Sequence, residues 1–353
     1  MSRIEKIREL MVKNSLDGFF INYLPNIRYL SNFSGSSASL ILTRNKNFFI
    51  TDFRYKDQSH TEVKEFEIVI NYNNMTEFRN IIEKEGIKKI GFESTHLTYN
   101  SLINAKEQLP GTEFIPLKDE IEKLTMTKLP GEIDKIRKAA EISDKVFSKI
   151  LEMLKPGMKE LDVAAEITYF HQKFGASQDS FNPIIASGRR GALPHGRASA
   201  KVIENGEMVT IDFGCTYEGF CSDITRTVSM GKPKDDLKKI YGIVYEAQIK
   251  AVESASTKLT SRQLDSVARD LINSKGYGEN FGHGLGHGLG IDVHELPSVS
   301  QRMEIPLVEN SVVTIEPGIY IENLGGVRIE DDIVLHSGGC EVLNKSPKEL
   351  IIL

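Results

Sequence analysis

VTIDFG (209–214) and VTIEPG (313–318) decide how this chain is read. They are one hexamer written twice, 104 residues apart, with one acid in each copy, Asp212 and Glu316. A second pair of segments repeats at nearly the same offset. ELDVAAEITYFHQKFG (160–175) lies over QLDSVARDLINSKGYG (263–278), placing Leu161 on Leu264, Asp162 on Asp265, Ala165 on Ala268 and Gly175 on Gly278. Two independent segments at one spacing are the mark of an internal duplication. Around them the apolar residues keep a helical period. Glu132 to Leu154 follows Pro130 and stops at Lys155-Pro156-Gly157, Glu160 to Phe174 ends at Gly175, and Asp235 to Ser254 and Gln263 to Ser274 complete the set. Each half of this region reads as two helices and a β-hairpin, related by a pseudo-twofold axis.

Upstream the pattern changes. Ile4, Ile7, Leu10 and Met11 fall at helical spacing, and MTEFRNIIEKEG (75–86) reads as a helix closed by Gly86. LDGFFIN (16–22), SASLILT (37–43), NFFIT (47–51), FEIVI (66–70) and KKIGFES (88–94) read as strands, with TYNSLINAKEQLP (98–110) as the last helix of this part. Strands alternating with short helices describe a layered α/β domain. A boundary in 121–131 gives an N-terminal domain at 1–125 and a second domain at 126–353, two domains being what 353 residues suggest. Tyr29 and Asp52 read as structural.

Hydrophobic residues at 40% and charged residues at 26% are ordinary for a packed globular protein. A net charge of −5 argues against a general nucleic-acid or anionic-membrane binder. Cys215, Cys221 and Cys340 form neither a disulfide framework nor a zinc-ribbon spacing, and suit a reducing cytoplasm. The start, MSRIEKIRELMVKN, carries charges every few residues, unlike a secretory signal, and no run of about 18 apolar residues exists. The expectation is a cytoplasmic protein without membrane or nucleic-acid partners.

Asp212 and Asp223 are symmetric about Tyr217–Glu218, and Glu316 and Glu330 about Asn323. Residues at equal distance from a hairpin turn are cross-strand neighbours, so each hairpin is expected to set two carboxylates side by side unless a bulge shifts the register. Any one of these acids alone reads as a solvated turn residue. Two pairs in duplicated positions, one within the apolar run MVTIDFG, do not. Four converging acids repel and require compensating positive charge, which in a buried setting is usually a cation.

FGHGLGHGLGIDVHE (281–295) adds His283, His287 and His294 among five glycines. Glycine at that density costs conformational entropy and belongs where the backbone must approach a ligand or a neighbouring strand. Gly284 stands where HExxH would have its acid, and no GK[ST] follows, so neither a zincin helix nor a phosphate loop is read here. One imidazole with four carboxylates is a hard, oxygen-rich set that suits Mn²⁺, Co²⁺ or Fe²⁺ at least as well as Zn²⁺. Carboxylates bridge ion pairs, and two ions about 3.5–4 Å apart hold a hydroxide and polarise a carbonyl. The residues thus read as a hydrolase with a dinuclear site.

At these residues the chain resembles the pita-bread metallopeptidases, within them the Xaa-Pro aminopeptidase and prolidase branch. YLSNFSGSSASLIL (29–42) is similar to the creatinase-like N-terminal domain, and residues from about 128 onward to the pita-bread catalytic domain. The resemblance implies five metal ligands: Asp212 in VTIDFG, Asp223 in CSDITRT, His287 in GHGLGHGLG, Glu316 in TIEPGIY and Glu330 in GGVRIEDD. It implies two divalent ions per subunit, Mn²⁺ foremost with Co²⁺, Zn²⁺ or Fe²⁺ as competitors. In the pattern of that family Asp223 would bind one ion through both oxygens, while Asp212 and Glu330 would bridge. His195 in ALPHGRAS and His294 in DVHE would hydrogen-bond the scissile carbonyl or the tetrahedral intermediate. Glu316 would double as general base. His283 would border the pocket for the residue after the scissile bond. Arg328, two residues before Glu330 and on the same strand face, would orient acids or substrate, and Tyr320 is a further substrate-site candidate.

The implied activity is hydrolysis of the bond before proline in small peptides, releasing the N-terminal residue. A dipeptidase must recognise the carboxylate directly after proline, normally with Arg or Lys. ELPSVS (295–300) carries none, although Arg302 follows, which favours an Xaa-Pro aminopeptidase slightly over the alternative, an Xaa-Pro dipeptidase. Methionine aminopeptidase and a non-catalytic pita-bread scaffold are more distant; the first generally lacks such an N-terminal domain, and the second typically loses ligands. The resemblance also implies a homodimer in which the loop around Tyr29 to Ser36 lends a residue to the partner's site.

Overall fold

Six strands, β1 (Gly18–Ile21), β2 (Ser39–Thr43), β3 (Asn47–Thr51), β4 (Glu67–Ile70), β5 (Lys89–Glu93) and β6 (Glu113–Leu117), make one sheet in the order β4-β3-β2-β1-β5-β6. The computed structural model describes residues 2–71 and 74–353. The chain separates into two compact units, one ending at Thr125 and one running from Met126 to Leu353. In the first, β1–β2 and β2–β3 are antiparallel and the other pairs parallel. Among the described residues six helices accompany the strands: α1 (Arg3–Lys13), α2 (Leu24–Ser31), α3 (Lys56–Glu62), α4 (Asn74–Lys84), α5 (Tyr99–Gln108) and α6 (Glu120–Thr125). α4 and α5 bury Phe78, Ile81, Ile82, Ala105 and Leu109 against Ile41, Phe48, Ile50 and Ile90 of the sheet.

The five strands expected from the sequence are present. The helix at 99–108 is not the last helix of this unit, because α6 follows, and β6 between them was not expected. β6 escapes the alternation test because it is an edge strand carrying Pro116, whose missing N–H is tolerated there. α2 and α3 are one or two turns long, too short for a helical period to register.

The second unit opens with α7 (Pro130–Met153) and α8 (Glu160–Lys173), then β7 (Gln178–Asp179), β8 (Ile184–Ser187), β9 (Met208–Phe213), β10 (Cys215–Tyr217), β11 (Phe220–Cys221) and β12 (Ile224–Ser229). α9 (Asp235–Ser254) and α10 (Ser261–Ser274) follow. The chain closes with β13 (Gly286–Gly288), β14 (Glu295–Val299), β15 (Val312–Ile315), β16 (Gly318–Ile321), β17 (Gly325–Arg328), β18 (Asp331–His336) and β19 (Gly339–Val342). The duplication is visible in the topology. One sheet runs β12-β9-β8, the other β14-β13-β15-β18-β19, and the two copies of the hexamer supply β9 and β15, each flanked on both sides. α7 and α8 bury Ile142, Val146, Ile150, Val163 and Ile167 against Val209, Ile211 and Phe213. α9 and α10 bury Ile240, Val244, Ala247, Leu264 and Ala268 against Val313, Ile315 and Ile333. The halves join where the Glu330 N–H donates to Thr225 O (3.1 Å) and Thr227 Oγ1 donates to Arg328 O (3.0 Å). Among the described residues no helix is long and apolar enough to cross a membrane.

Candidate active site

Each half-sheet delivers its acids through its hairpin, and the two hairpins differ in register. In the second half Ile315 faces Asp331 and Gly318 faces Arg328, so Glu316 and Glu330 fall opposite one another as expected. In the first half Tyr217 pairs with Phe220, so the turn is Glu218–Gly219 rather than Tyr217–Glu218. Both turn residues have positive φ, 46° and 80°, the type I′ geometry that glycine favours. The ladder therefore shifts, and Asp212 faces Thr225 while Asp223 lies on the diagonal. The expected side-by-side pairing of Asp212 with Asp223 is corrected on that ground.

His287 sits on β13 between Gly286 and Gly288. A Cβ on Gly286 would lie 2.0 Å from Thr314 O, and one on Gly288 would lie 2.2 Å from Leu296 O. Of the two reasons for glycine considered from sequence, close approach of neighbouring strands is the one that applies at these positions. The squeeze on both sides locates the imidazole against the acids.

Asp223, His287 and Glu330 each offer one ligand atom, and these atoms lie within 4.8 Å of one another. His287 Nε2 stands 3.7 Å from Asp223 Oδ2 and 3.5 Å from Glu316 Oε1. Its Nδ1 is 3.0 Å from Gly288 O, so Nδ1 carries the proton and Nε2 turns a lone pair toward two carboxylates. Burial, reinforced by the neighbouring His294, lowers the His287 pKa to about 4, so a proton on Nε2 does not supply the missing positive charge at neutral pH. Asp223 Oδ1 is buried with no hydrogen-bond partner. Burial and then the charge of Glu330 push Asp223 well above the usual carboxylate range; burial and then Glu316 do the same to Glu330. Glu316 is raised to about 8 by burial, against the pull of Arg328. Lone pairs aimed at one another, an orphaned buried oxygen and acids driven toward protonation fit a divalent cation held by this donor set.

Asp212 and Glu316 stand differently. Arg328 donates to Asp212 Oδ2 in a close buried ion pair, and Thr314 Oγ1 lies 3.3 Å from Glu316 Oε1. Arg328 also donates to Tyr320 Oη (2.8 Å), Pro194 O (3.2 Å) and Thr225 Oγ1 (3.1 Å). The Thr225 hydroxyl in turn donates a hydrogen bond to Glu330 Oε2 (2.6 Å). Tyr320 Oη lies 2.9 Å from His283 Nε2, while His283 Nδ1 faces Gly284 O at 2.7 Å, so the tyrosine donates and the imidazole accepts. Burial holds Tyr320 up at about 12 and His283 down at about 4, so both stay neutral at pH 7. Guanidinium, phenol and imidazole thus form one fixed chain behind the acids.

A cavity of about 790 Å³ opens over this group, lined by all five candidate ligands and by His195, His283, His294 and Arg328. His195 and His294 are exposed at its rim, and the His294 ring lies 4.4 Å from that of His287. The loop carrying His195 is tied down by Glu160, a fully buried carboxylate. It accepts from Ser187 N (2.8 Å), Ser199 N (3.1 Å) and Ser199 Oγ (2.7 Å) at the two ends of that loop, and from Arg190 Nε (3.0 Å) within it.

The family model described as metallopeptidase family M24 matches residues 134–337, and the creatinase/prolidase N-terminal domain matches residues 3–127. The chain belongs to the M24 metallopeptidases. It is similar to a solved Xaa-Pro dipeptidase from Bacillus anthracis (45% identity, TM-score 0.97, 99% of both chains) and to a prolidase from Pyrococcus horikoshii OT3 (42%, 0.95, 99% of both). It is also similar to an X-Pro aminopeptidase from Thermotoga maritima (40%, 0.92, all of both chains). The N-terminal creatinase-like domain and the pita-bread metallopeptidase domain expected from the sequence are both present, and the chain is an enzyme of the peptidase class.

Within this M24 site, sequence reasoning missed Thr225, Asp332 and Glu160. Asp332 Oδ2 accepts the Asp223 N–H (2.9 Å), and Thr225 links Arg328 to Glu330. Thr225 and Asp332 each lie two residues from a candidate ligand, at strand spacing, which is the signal that would have found them.

Proposed function

We propose that this chain is an Xaa-Pro dipeptidase that uses two divalent ions, Mn²⁺ foremost, held by Asp212, Asp223, His287, Glu316 and Glu330. The observation carrying this reading is the convergence of Asp223, His287 and Glu330 under a cavity whose rim bears His195 and His294. Bound ions would lower the pKa of a water and polarise the scissile carbonyl. Glu316, ionised once the cations offset its burial, would take the proton from the attacking water and pass it to the proline nitrogen, which must be protonated to leave as an amine. Attack forms the C–O bond first and gives a tetrahedral oxyanion; its collapse then breaks the C–N bond and frees the N-terminal residue and proline. His195 and His294 hydrogen-bond the developing oxyanion; His294, lowered by burial and by His195, is a neutral N–H donor at pH 7. Arg328 fixes Asp212 and, through Tyr320, His283. An imide bond lacks an N–H, so proline after the scissile bond calls for a dedicated pocket, which His283 borders.

The preference drawn from ELPSVS for a longer-chain aminopeptidase gives way here. Two of the similar solved structures carry the dipeptidase or prolidase name, and the cavity draws on residues far from 295–300 in sequence. The Thermotoga relative keeps the aminopeptidase as the second reading. Protein stripped of metal and reloaded with Mn²⁺ should cleave Ala-Pro with kcat/KM at least about 10-fold above that for Ala-Pro-Ala. Faster release of alanine from the tripeptide establishes the aminopeptidase instead. Metal binding without cleavage of either peptide points to a scaffold.

We also propose a cytoplasmic homodimer, the location from three unbridged cysteines and the dimer from the family resemblance, with the loop around Tyr29 to Ser36 reaching the partner's site. Sedimentation velocity at micromolar concentration should give twice the chain mass, and a single-chain mass rejects the dimer.

A further inference from the structure

The cavity wall is acidic, yet two arginines line it, Arg197 and Arg328. Arg328 is fully committed to Asp212, Tyr320, Thr225 and Pro194 O. Arg197 is not. Among the described residues its side chain has no ion-pair or hydrogen-bond partner, and it is exposed. Asp179, the other acid on that wall, is already taken by Thr168 (2.5 Å) and His171 (2.6 Å).

The backbone beneath Arg197 is by contrast held firmly. Its N–H donates to His195 O (2.9 Å), Arg190 donates to its carbonyl (2.5 Å), and two residues on Ser199 is bound twice by Glu160. A fixed base under a free guanidinium is what a binding residue needs. The charge is placed in advance and little backbone entropy is lost when an anion arrives. The short turn also keeps Arg197 beside His195, the residue placed at the scissile carbonyl. In a dipeptide the C-terminal carboxylate lies only one residue beyond that carbonyl. Ser298 of β14, which also lines the cavity, is neutral and supplies no alternative charge.

We infer that Arg197 is the specificity residue that takes the C-terminal carboxylate of the dipeptide substrate, through a charge-assisted hydrogen bond. The inference rests on the dipeptidase reading above and names the group that would enforce it. A guanidinium matches a carboxylate in two-point geometry, so lysine should replace it only in part.

The test is steady-state kinetics of the Mn²⁺-loaded protein on Ala-Pro and Ala-Pro-amide, which differ only in that carboxylate. In the wild type KM for the amide should exceed KM for the free acid by about 10- to 100-fold. In Arg197→Ala the KM for Ala-Pro should rise by about that factor with kcat within about 3-fold, so that the preference for the free acid collapses toward unity. Arg197→Lys should keep part of it. Arg197 is exposed, so the variants should melt with the wild type. An Arg197→Ala enzyme that retains the full preference overturns this assignment while leaving the dipeptidase reading intact, as does an equal loss on both substrates, which marks a structural role. A wild-type enzyme that leaves Ala-Pro whole overturns both.

Discussion

Asp223→Asn is expected to abolish metal retention and to lower kcat/KM for an Xaa-Pro substrate by at least about 10³-fold, while making the metal-free protein more stable. The loss follows from removing a charged donor from the group that brings Asp223, His287 and Glu330 together. The gain follows from the electrostatics. The Asp223 carboxylate is buried, one of its oxygens has no partner, and burial and Glu330 both disfavour its charge. An amide removes that charge and supplies an N–H toward acceptors at His287 and Glu330. Calorimetry of the chelator-treated variant should show a melting temperature higher by about 3–5 °C, of the size expected from roughly 1–2 kcal/mol in a unit of this length. Elemental analysis reads the metal. A variant that keeps its metal, or whose metal-free form melts below the wild type, would remove the argument that these acids are strained without a cation.

The metal-free wild type should also lose stability as pH rises from about 5 to about 8. Glu316 is raised to about 8, and Glu330 and Asp223 are raised well above their ordinary values, each first of all by burial. A carboxylate whose folded pKa lies above its unfolded pKa holds its proton in the native state while the unfolded chain has already released it. Between the two values the native state binds more protons, so the unfolding free energy falls with rising pH. The stability is complete below the unfolded value near 4.5 and has been lost once pH passes the folded value. For Glu316 alone the window spans roughly pH 4.5 to 8, and a fall in melting temperature of about 10 °C across it is expected. Mn²⁺ added at pH 8 should restore most of that loss, because binding to the native state alone stabilises it by mass action. A pH-independent melting curve without metal would show that the four acids are solvated rather than crowded.

These expectations draw on both levels of description. The duplicated hexamers and the repeated helices were enough to place β9 and β15 in equivalent positions and to pick out Asp212, Asp223, Glu316 and Glu330. Local patterns carry that much, because a strand's period and a hairpin's turn are written in neighbouring residues. The Glu316–Glu330 register followed for the same reason. The first hairpin did not, since TYEGF admits two turns one residue apart, and the choice of Glu218–Gly219 goes with the positive φ that Gly219 accepts.

The tertiary structure alone decided which donors form one group. Asp223 and Glu330 come from different halves of the duplication, and His287 from a third segment, so their approach depends on how β12 docks on β17 and how tightly β13 is held between β14 and β15. Asp212 was diverted to Arg328 by the same docking. Thr225, Asp332 and Glu160 acquire partners 27 to 109 residues away, and Arg197 faces the cavity because Glu160 closes its loop. Periodicity in the chain reports which face of an element is buried. It holds no record of which buried faces meet, because that is set by the packing of whole sheets and helices against one another.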